Sequence, residues 1–219
     1  MRQDTTLIHA GIESDPTTGA IIPPLYQTAT YALPEVGKNR GFDYTRCSNP
    51  TREALEKNLA AIEGAAWGVS FSSGLAAADA ILRLLSAGDH VICSDDVYGG
   101  VTRLFEQVLR RFGLSFTYVD TSNLRAIRSA LQPNTRLLWI ETPTNPLLKI
   151  TDLNFIQSIR KETNLLVAVD STFATPLLLR PFEFGTLMVR ISSSISVMSV
   201  FVPPMSIPVN ISLPLLLFD

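Results

Sequence analysis

Cysteine is nearly absent. Cys47 and Cys93 are the only two in 219 residues, too few for a disulfide scaffold, so both are expected to be free thiols in a reducing cytoplasm. Histidine also occurs only twice, which argues against a histidine-rich metal centre. There is no basic excess. Lysine plus arginine is 18 against 20 aspartates and glutamates, a net charge of −2, so the chain lacks the charge of a dedicated nucleic-acid binder. Met1-Arg2-Gln3-Asp4 runs into polar residues rather than an apolar core, and no secretory signal is read. A membrane helix needs roughly 20 unbroken apolar residues. The most apolar stretch is interrupted by Arg190 and a run of serines, then broken by Pro203, Pro204, Pro208 and Pro214. What remains is 46% apolar residues in a 219-residue chain, enough buriable surface for one large domain or two small ones.

The chain divides unequally. Residues 1–48 show little periodicity and many turn residues, and read as an extended N-terminal arm. Residues 49–185 carry a regular pattern. The last 34 residues contain seven serines and four prolines, and only Arg190 and Asp219 are charged; they have no glycine and no lysine. Residues 186–219 therefore read as an aberrant tail.

Within 49–185 helix and strand signals alternate. Asn49-Pro50 offers a cap and a first-turn proline; Leu55, Leu59 and Ile62 follow at helical spacing, and Gly64 ends the run. Residues 67–71 read as a buried strand and 75–86 as a helix. Residues 90–93 read as a strand. Val101, Leu104, Phe105, Val108, Leu109 and Phe112 mark one apolar helix face. Strands are expected at 115–119, 137–140 and 165–169, with helices at 124–131 and around Leu153, Phe155, Ile156 and Ile159. This alternation predicts an α/β fold with a mostly parallel sheet covered by helices on both faces.

Ligands of open α/β sheets sit beyond the carboxyl ends of the strands. Four expected strands end in polar segments: Ser72-Ser73-Gly74-Leu75, Ser94-Asp95-Asp96-Val97-Tyr98-Gly99-Gly100, Glu141-Thr142-Pro143-Thr144-Asn145-Pro146 and Asp170-Ser171-Thr172-Phe173. The first has the chemistry of an anion site, with hydroxyls and free N–H groups at a helix start; an ordinary capped helix start is the alternative. No Walker A lysine signature and no G-x-G-x-x-G is present. Asp170 ends an apolar strand, where a carboxylate needs a cation or donors. A protonated ring nitrogen would serve, and a turn aspartate is the plainer reading. Tyr98, ahead of two glycines, suits a planar ligand or simple turn packing. The conjunction is more specific than its members, because one phosphorylated aromatic cofactor would use all of them.

These segments, with Tyr44-Thr45-Arg46-Cys47-Ser48-Asn49-Pro50-Thr51-Arg52 before them, occur in an order that resembles the Cys/Met-metabolism enzymes dependent on pyridoxal 5'-phosphate (PLP). That family includes cystathionine γ-synthase, γ-lyase and β-lyase and methionine γ-lyase. The likeness covers about residues 1–185. It implies the PLP-dependent transferase fold of aspartate-aminotransferase type, here an incomplete large domain without the C-terminal domain. It implies carbon–sulfur bond formation or cleavage on amino acids in cysteine and methionine metabolism, and a homo-oligomer, dimer or tetramer. Residue by residue, it implies that Gly74 and Leu75 offer N–H groups to the cofactor phosphate. Tyr44 and Arg46 reach that phosphate in a neighbouring subunit. Tyr98 stacks on the ring and assists near the substrate amine, Asp170 keeps the ring nitrogen protonated, Asn145 bonds the ring oxygen, and Thr172 supports the ring from below. Arg103 lies near substrate.

The family pattern also implies a lysine about 25 residues beyond the aspartate, which anchors the cofactor and moves protons. Lysines occur only at 38, 57, 149 and 161. The corresponding stretch reads Ile191-Ser192-Ser193-Ser194-Ile195-Ser196. Ser192 and Ser194 would imitate phosphate-binding hydroxyls, while Ile195 stands near the expected lysine and cannot form an imine. The change of composition after Gly185 is read as a shift of reading frame followed by an early stop. That would leave an inactive truncated copy, strands missing from the sheet and an uncovered strand edge. The alternatives are a non-catalytic PLP-binding or subunit-interaction fragment, and an unrelated α/β binding module.

Overall fold

The structure, a computed structural model, describes residues 3–191 and 198–202. Its first element contradicts the expectation of a wholly extended arm. Helix α1 spans Gln3–His9, too short to display an apolar stripe, and it docks on helix α2 (Pro50–Glu63). The Asn58 side chain donates to Leu7 O at 3.3 Å and Ala10 O at 2.7 Å. Gly11 turns at φ +71°, where a Cβ would stand 2.5 Å from Asn58 N, so only glycine fits this approach. Helix α2 begins and ends as its sequence predicts. The Asn49 side chain accepts from Thr51 N at 2.9 Å, Pro50 is the first helical residue, and Gly64 closes the helix in the left-handed conformation at φ 72°.

The remaining elements alternate along the chain. They are β1 (Trp67–Phe71), α3 (Gly74–Leu82), β2 (His90–Ser94), α4 (Gly99–Arg103), β3 (Ser115–Val119), α5 (Leu124–Ser129), β4 (Thr135–Glu141), α6 (Leu153–Thr163), β5 (Leu166–Asp170), β6 (Leu187–Ile191) and β7 (Met198–Val202). Two helices depart from their expected form. Helix α3 stops at Leu82 rather than running to 86. The face from Val101 to Phe112 is a short α-helix followed by a π turn over Leu104–Val108 and a 3₁₀ turn over Leu109–Phe112. The same apolar face is kept, and Phe105 and Leu109 are buried.

The strands form one sheet in the order β1-β7-β6-β5-β4-β2-β3. Strands β3, β2, β4, β5 and β6 are parallel. Strand β7 is antiparallel to both β6 and β1, so β1 points the same way as the parallel set. The central strands are buried on both faces, and period-2 alternation divides their side chains between two cores. Val91, Cys93, Leu137, Trp139 and Ala168 pack with Ala78, Ile81, Val101 and Phe105 on one side. Ile92, Leu138, Ile140, Val167 and Val169 pack with Ile127, Ile156 and Ile159 on the other.

Two expectations about strands are corrected. Residues 67–71 form the expected strand, but it is not buried. It lies at the sheet edge, with Trp67 43% and Val69 38% exposed. The tail was expected to leave strands missing, yet β6 and β7 fill the positions between β5 and β1. Ladder hydrogen bonds are made by backbone, and segments as rich in valine, isoleucine, phenylalanine and methionine as these favour strand. Ser192, Ser194 and Ile195 lie outside the described residues. Among the described residues no helix is long and apolar enough to cross a membrane.

Candidate active site

The parallel strands bring their carboxyl ends to one edge. The chain leaves β2 to form β3 on one side, then returns to place β4 on the other. A crevice opens beside such a reversal of strand order. There the structure has a cavity of about 300 Å³ lined by residues from all four polar segments: Ser73, Gly74 and Leu75; Tyr98; Glu141, Pro143 and Asn145; Asp170, Thr172 and Phe173. Helix α3 packs across β6 and β7. This carries its N-terminus from the sheet edge toward the end of β5. The Ser73 hydroxyl caps it by accepting from Ala76 N at 3.2 Å.

Asp170 ends β5 with 1% of its surface exposed. The Thr172 backbone N–H and hydroxyl donate to its Oδ1 at 3.1 and 2.5 Å. Burial raises its carboxyl to about 6, against the opposing pull of those two donors. Thr172 therefore does more than line the cavity, since it also orients the acid. Glu141 ends β4 directly opposite Asp170 in the parallel ladder and is 4% exposed. Burial, and then the neighbouring negative charge of Asp170, push its carboxyl up to about 8. Glu141 is a site residue to which the family resemblance assigns no role. The signal was the one that singled out Asp170, an acid closing an otherwise apolar strand.

Tyr98 precedes α4, lines the cavity and is 40% exposed as a residue. Its backbone N–H donates to Glu141 Oε2 at 2.9 Å. The segment after β4 is held from outside by Asp96, which accepts from the Thr144 hydroxyl at 2.5 Å and from Leu147 N at 2.9 Å. Lys149 spans the neighbouring loops, 3.0 Å from Asp95 and 3.7 Å from Asp120. These bonds keep Asn145 against the cavity.

Six of the residues expected at the site, Gly74, Leu75, Tyr98, Asn145, Asp170 and Thr172, thus line one cavity. Tyr44 and Arg46 do not line it. They form their own pair in the arm, with Arg46 Nη2 donating to the Tyr44 hydroxyl at 3.1 Å and the guanidinium 5.1 Å from the ring centroid. Arg103 is exposed at the end of α4. Its Nη1 lies 3.6 Å from the position a Cβ would take at Gly99, outside the cavity lining.

The chemistry of the lining is one-sided. Two buried carboxyls share it, and no described lining residue is basic. Such an acid pair calls for a ligand that brings positive charge to Asp170. The free N–H groups of α3 call for an anion, and the exposed Tyr98 ring for a flat partner. A phosphorylated, cationic aromatic ring meets all three demands, so pyridoxal phosphate fits the residues present.

Fold and crevice together define a PLP-type α/β protein. The family model for Cys/Met metabolism PLP-dependent enzymes matches residues 4–194, and the chain belongs to that family, whose cofactor is pyridoxal phosphate. A probable cystathionine gamma-synthase of Herpetosiphon aurantiacus is 48% identical over 190 residues, 87% of this chain and 60% of that protein. A cystathionine beta-lyase of Coxiella burnetii is 49% identical over 183 residues, 83% of this chain and 47% of that protein. The crystal structure of cystathionine gamma-lyase from Lactobacillus plantarum complexed with L-serine superposes with a TM-score of 0.88 at 40% identity. It covers 93% of this chain and 55% of that one. The chain thus spans about half to three-fifths of the length of these relatives. The matched region reaches nine residues beyond Gly185, where the change in composition begins.

Proposed function

We propose that this chain is the cofactor-binding part of a transsulfuration enzyme of the cystathionine γ-synthase/γ-lyase type, one that binds pyridoxal phosphate but carries out carbon–sulfur chemistry on amino acids at a severely reduced rate. The observation that carries the reading is the buried Asp170 carboxylate, facing a cavity lined among the described residues by no basic side chain and bordered by the N-terminus of α3.

In this reading the Gly74 and Leu75 N–H groups hold the phosphate. Tyr98 covers one face of the ring, and Asn145 bonds the ring oxygen. Asp170, oriented by Thr172, keeps the ring nitrogen protonated. Bound there, the cofactor supplies an electron sink for the electron pair released at the substrate α-carbon. Tyr98 also assists near the substrate amine. Tyr44 and Arg46, paired and exposed in the arm, reach the phosphate of a second copy, so the working unit is a homo-oligomer. Arg103 contributes at the substrate side. The low rate follows from the lack of any lysine among residues 171–219, where Ile195 stands near the lysine that the family resemblance implies. Without that amine the general base for proton transfer at the α-carbon is missing. A non-catalytic PLP-binding or subunit-interaction role is the second reading, favoured by the arm that pairs Tyr44 with Arg46 away from the chain's own cavity.

The test is titration of the full chain with pyridoxal phosphate, followed by borohydride reduction, peptide mapping and a cystathionine cleavage assay. The expected result is saturable binding that dialysis reverses, no lysine adduct at stoichiometric cofactor, and turnover near background. Turnover at the rate of full-length relatives would overturn the low-activity part. Absence of saturable binding would overturn the site.

A further inference from the structure

Glu141 lies on the cavity side of the junction between two loops that Asp96 joins from outside. Its carboxyl accepts the Tyr98 N–H at 2.9 Å, and the Asn145 backbone N–H lies close enough to favour its ionised form. Tyr98 enters from the loop after β2 and Asn145 from the loop after β4. The carboxyl lies beside Asp170 in the ladder, and its own backbone N–H is fixed by Ser94 Oγ at 3.2 Å. Ser94 is held by Thr121, and Thr121 by Thr151, each at 2.8 Å. This buried hydroxyl chain fixes the backbone from which the acid projects. A carboxyl has two acceptor oxygens and can satisfy two N–H donors from different directions.

We infer that Glu141 is a positioning residue whose buried carboxyl clamps the Tyr98 and Asn145 loops together over the cavity and thereby sets the affinity for the planar cofactor. The clamp rests on the proposed PLP site for its consequence, but not for its existence. Keeping a second acid beside Asp170 costs electrostatic free energy. A pair of loops held in the binding geometry before the ligand arrives offsets that cost, because less ordering remains to be done on binding.

The experiment compares the full-length wild type with Glu141→Ala and Glu141→Gln by amide hydrogen exchange and by pyridoxal phosphate titration. In Glu141→Ala the Tyr98 and Asn145 amides should exchange at least about tenfold faster while the sheet amides of Ile92 and Leu138 keep their protection, and the cofactor dissociation constant should rise about tenfold. Glu141→Gln keeps one acceptor oxygen and should fall between. Unchanged exchange at Tyr98 and Asn145 would overturn the clamp, as would faster exchange with unaltered affinity. If Glu141→Ala loses protection throughout the sheet, the comparison with Glu141→Gln decides. A wild type that fails to bind pyridoxal phosphate would sink the site assignment, and the exchange data alone would still decide whether Glu141 holds the two loops.

Discussion

A methyl group on Gly100 would stand 2.4 Å from Cε1 of the Tyr98 ring. The glycine two residues on is therefore what lets the ring lie along the start of α4 and form a wall of the cavity.

Gly100→Ala separates stability from binding. Alanine in a helix is favoured over glycine by up to about 1 kcal/mol. Tyr98, whose ring it displaces, is 40% exposed, so the ring can swing toward solvent at little cost. The melting temperature should hold or rise slightly, while pyridoxal phosphate affinity drops about tenfold as the stacking surface is lost. Thermal melts and cofactor titrations on the same preparation check this. A tight-binding variant would show that the ring pose does not matter.

The two strand-end acids make stability depend on pH. Asp170 titrates near 6 and Glu141 near 8, both above their ordinary values of 3.8 and 4.5. The folded chain thus holds these protons more tightly than the unfolded chain. That contribution is fully present below about pH 4 and is lost as pH rises through the folded values. Without cofactor, Asp170→Asn should be more stable than wild type at pH 8 by on the order of 3 kcal/mol, with the advantage gone at pH 4. Asparagine can still accept both Thr172 donors, and Glu141 should then titrate lower. Melts across pH 4–8 measure the difference; a pH-independent offset would contradict it.

Thr172→Val removes one of two donors from Asp170 while preserving shape. The carboxyl should titrate higher still, because the hydroxyl at 2.5 Å favours the ionised form. Carboxyl-labelled NMR should show the upward shift. Cofactor binding should weaken, since a protonated Asp170 cannot balance a cationic ring.

His90 lies at the other end of the sheet from the cavity. Its Nδ1 is 2.8 Å from Thr135 Oγ1 and its Nε2 2.9 Å from Thr117 Oγ1. Burial lowers its basicity from the ordinary 6.5. Below that value the unfolded chain takes up a proton that the folded chain refuses, so stability falls as pH drops from 6.5 toward the folded value. The stability gap between wild type and His90→Gln should be widest above pH 7 and shrink by pH 5. A gap that widens in acid would mean the imidazole is charged in the fold.

The legible parts of this protein were those written in local chemistry. Asn49, Pro50 and Gly64 delimit α2 through capping and backbone preference, which neighbours on the chain suffice to set. The apolar runs of β2, β4 and β5 announced strands buried on both faces. Asp170 stood out as a charge where an apolar strand should end. Edges were harder. The same composition reads as a core strand at 67–71, and only its place in the sheet exposes Trp67 and Val69. Helix α1 is one case of a structure decided by what it docks on, here Asn58 and the close approach at Gly11.

The sequence by itself determined the alternation of strands and helices, the family, and the set of polar segments that meet at one edge. Those depend on periodicity, turn chemistry and residue type, all read within a few positions. Only the tertiary structure decided that Glu141 faces Asp170 across a ladder, that its carboxyl takes the Tyr98 N–H from a segment 43 residues away, and that Tyr44 and Arg46 stand apart from the cavity. Such relations rest on strand order and on which buried donors lack a nearer partner, and neither is encoded in any short stretch of chain.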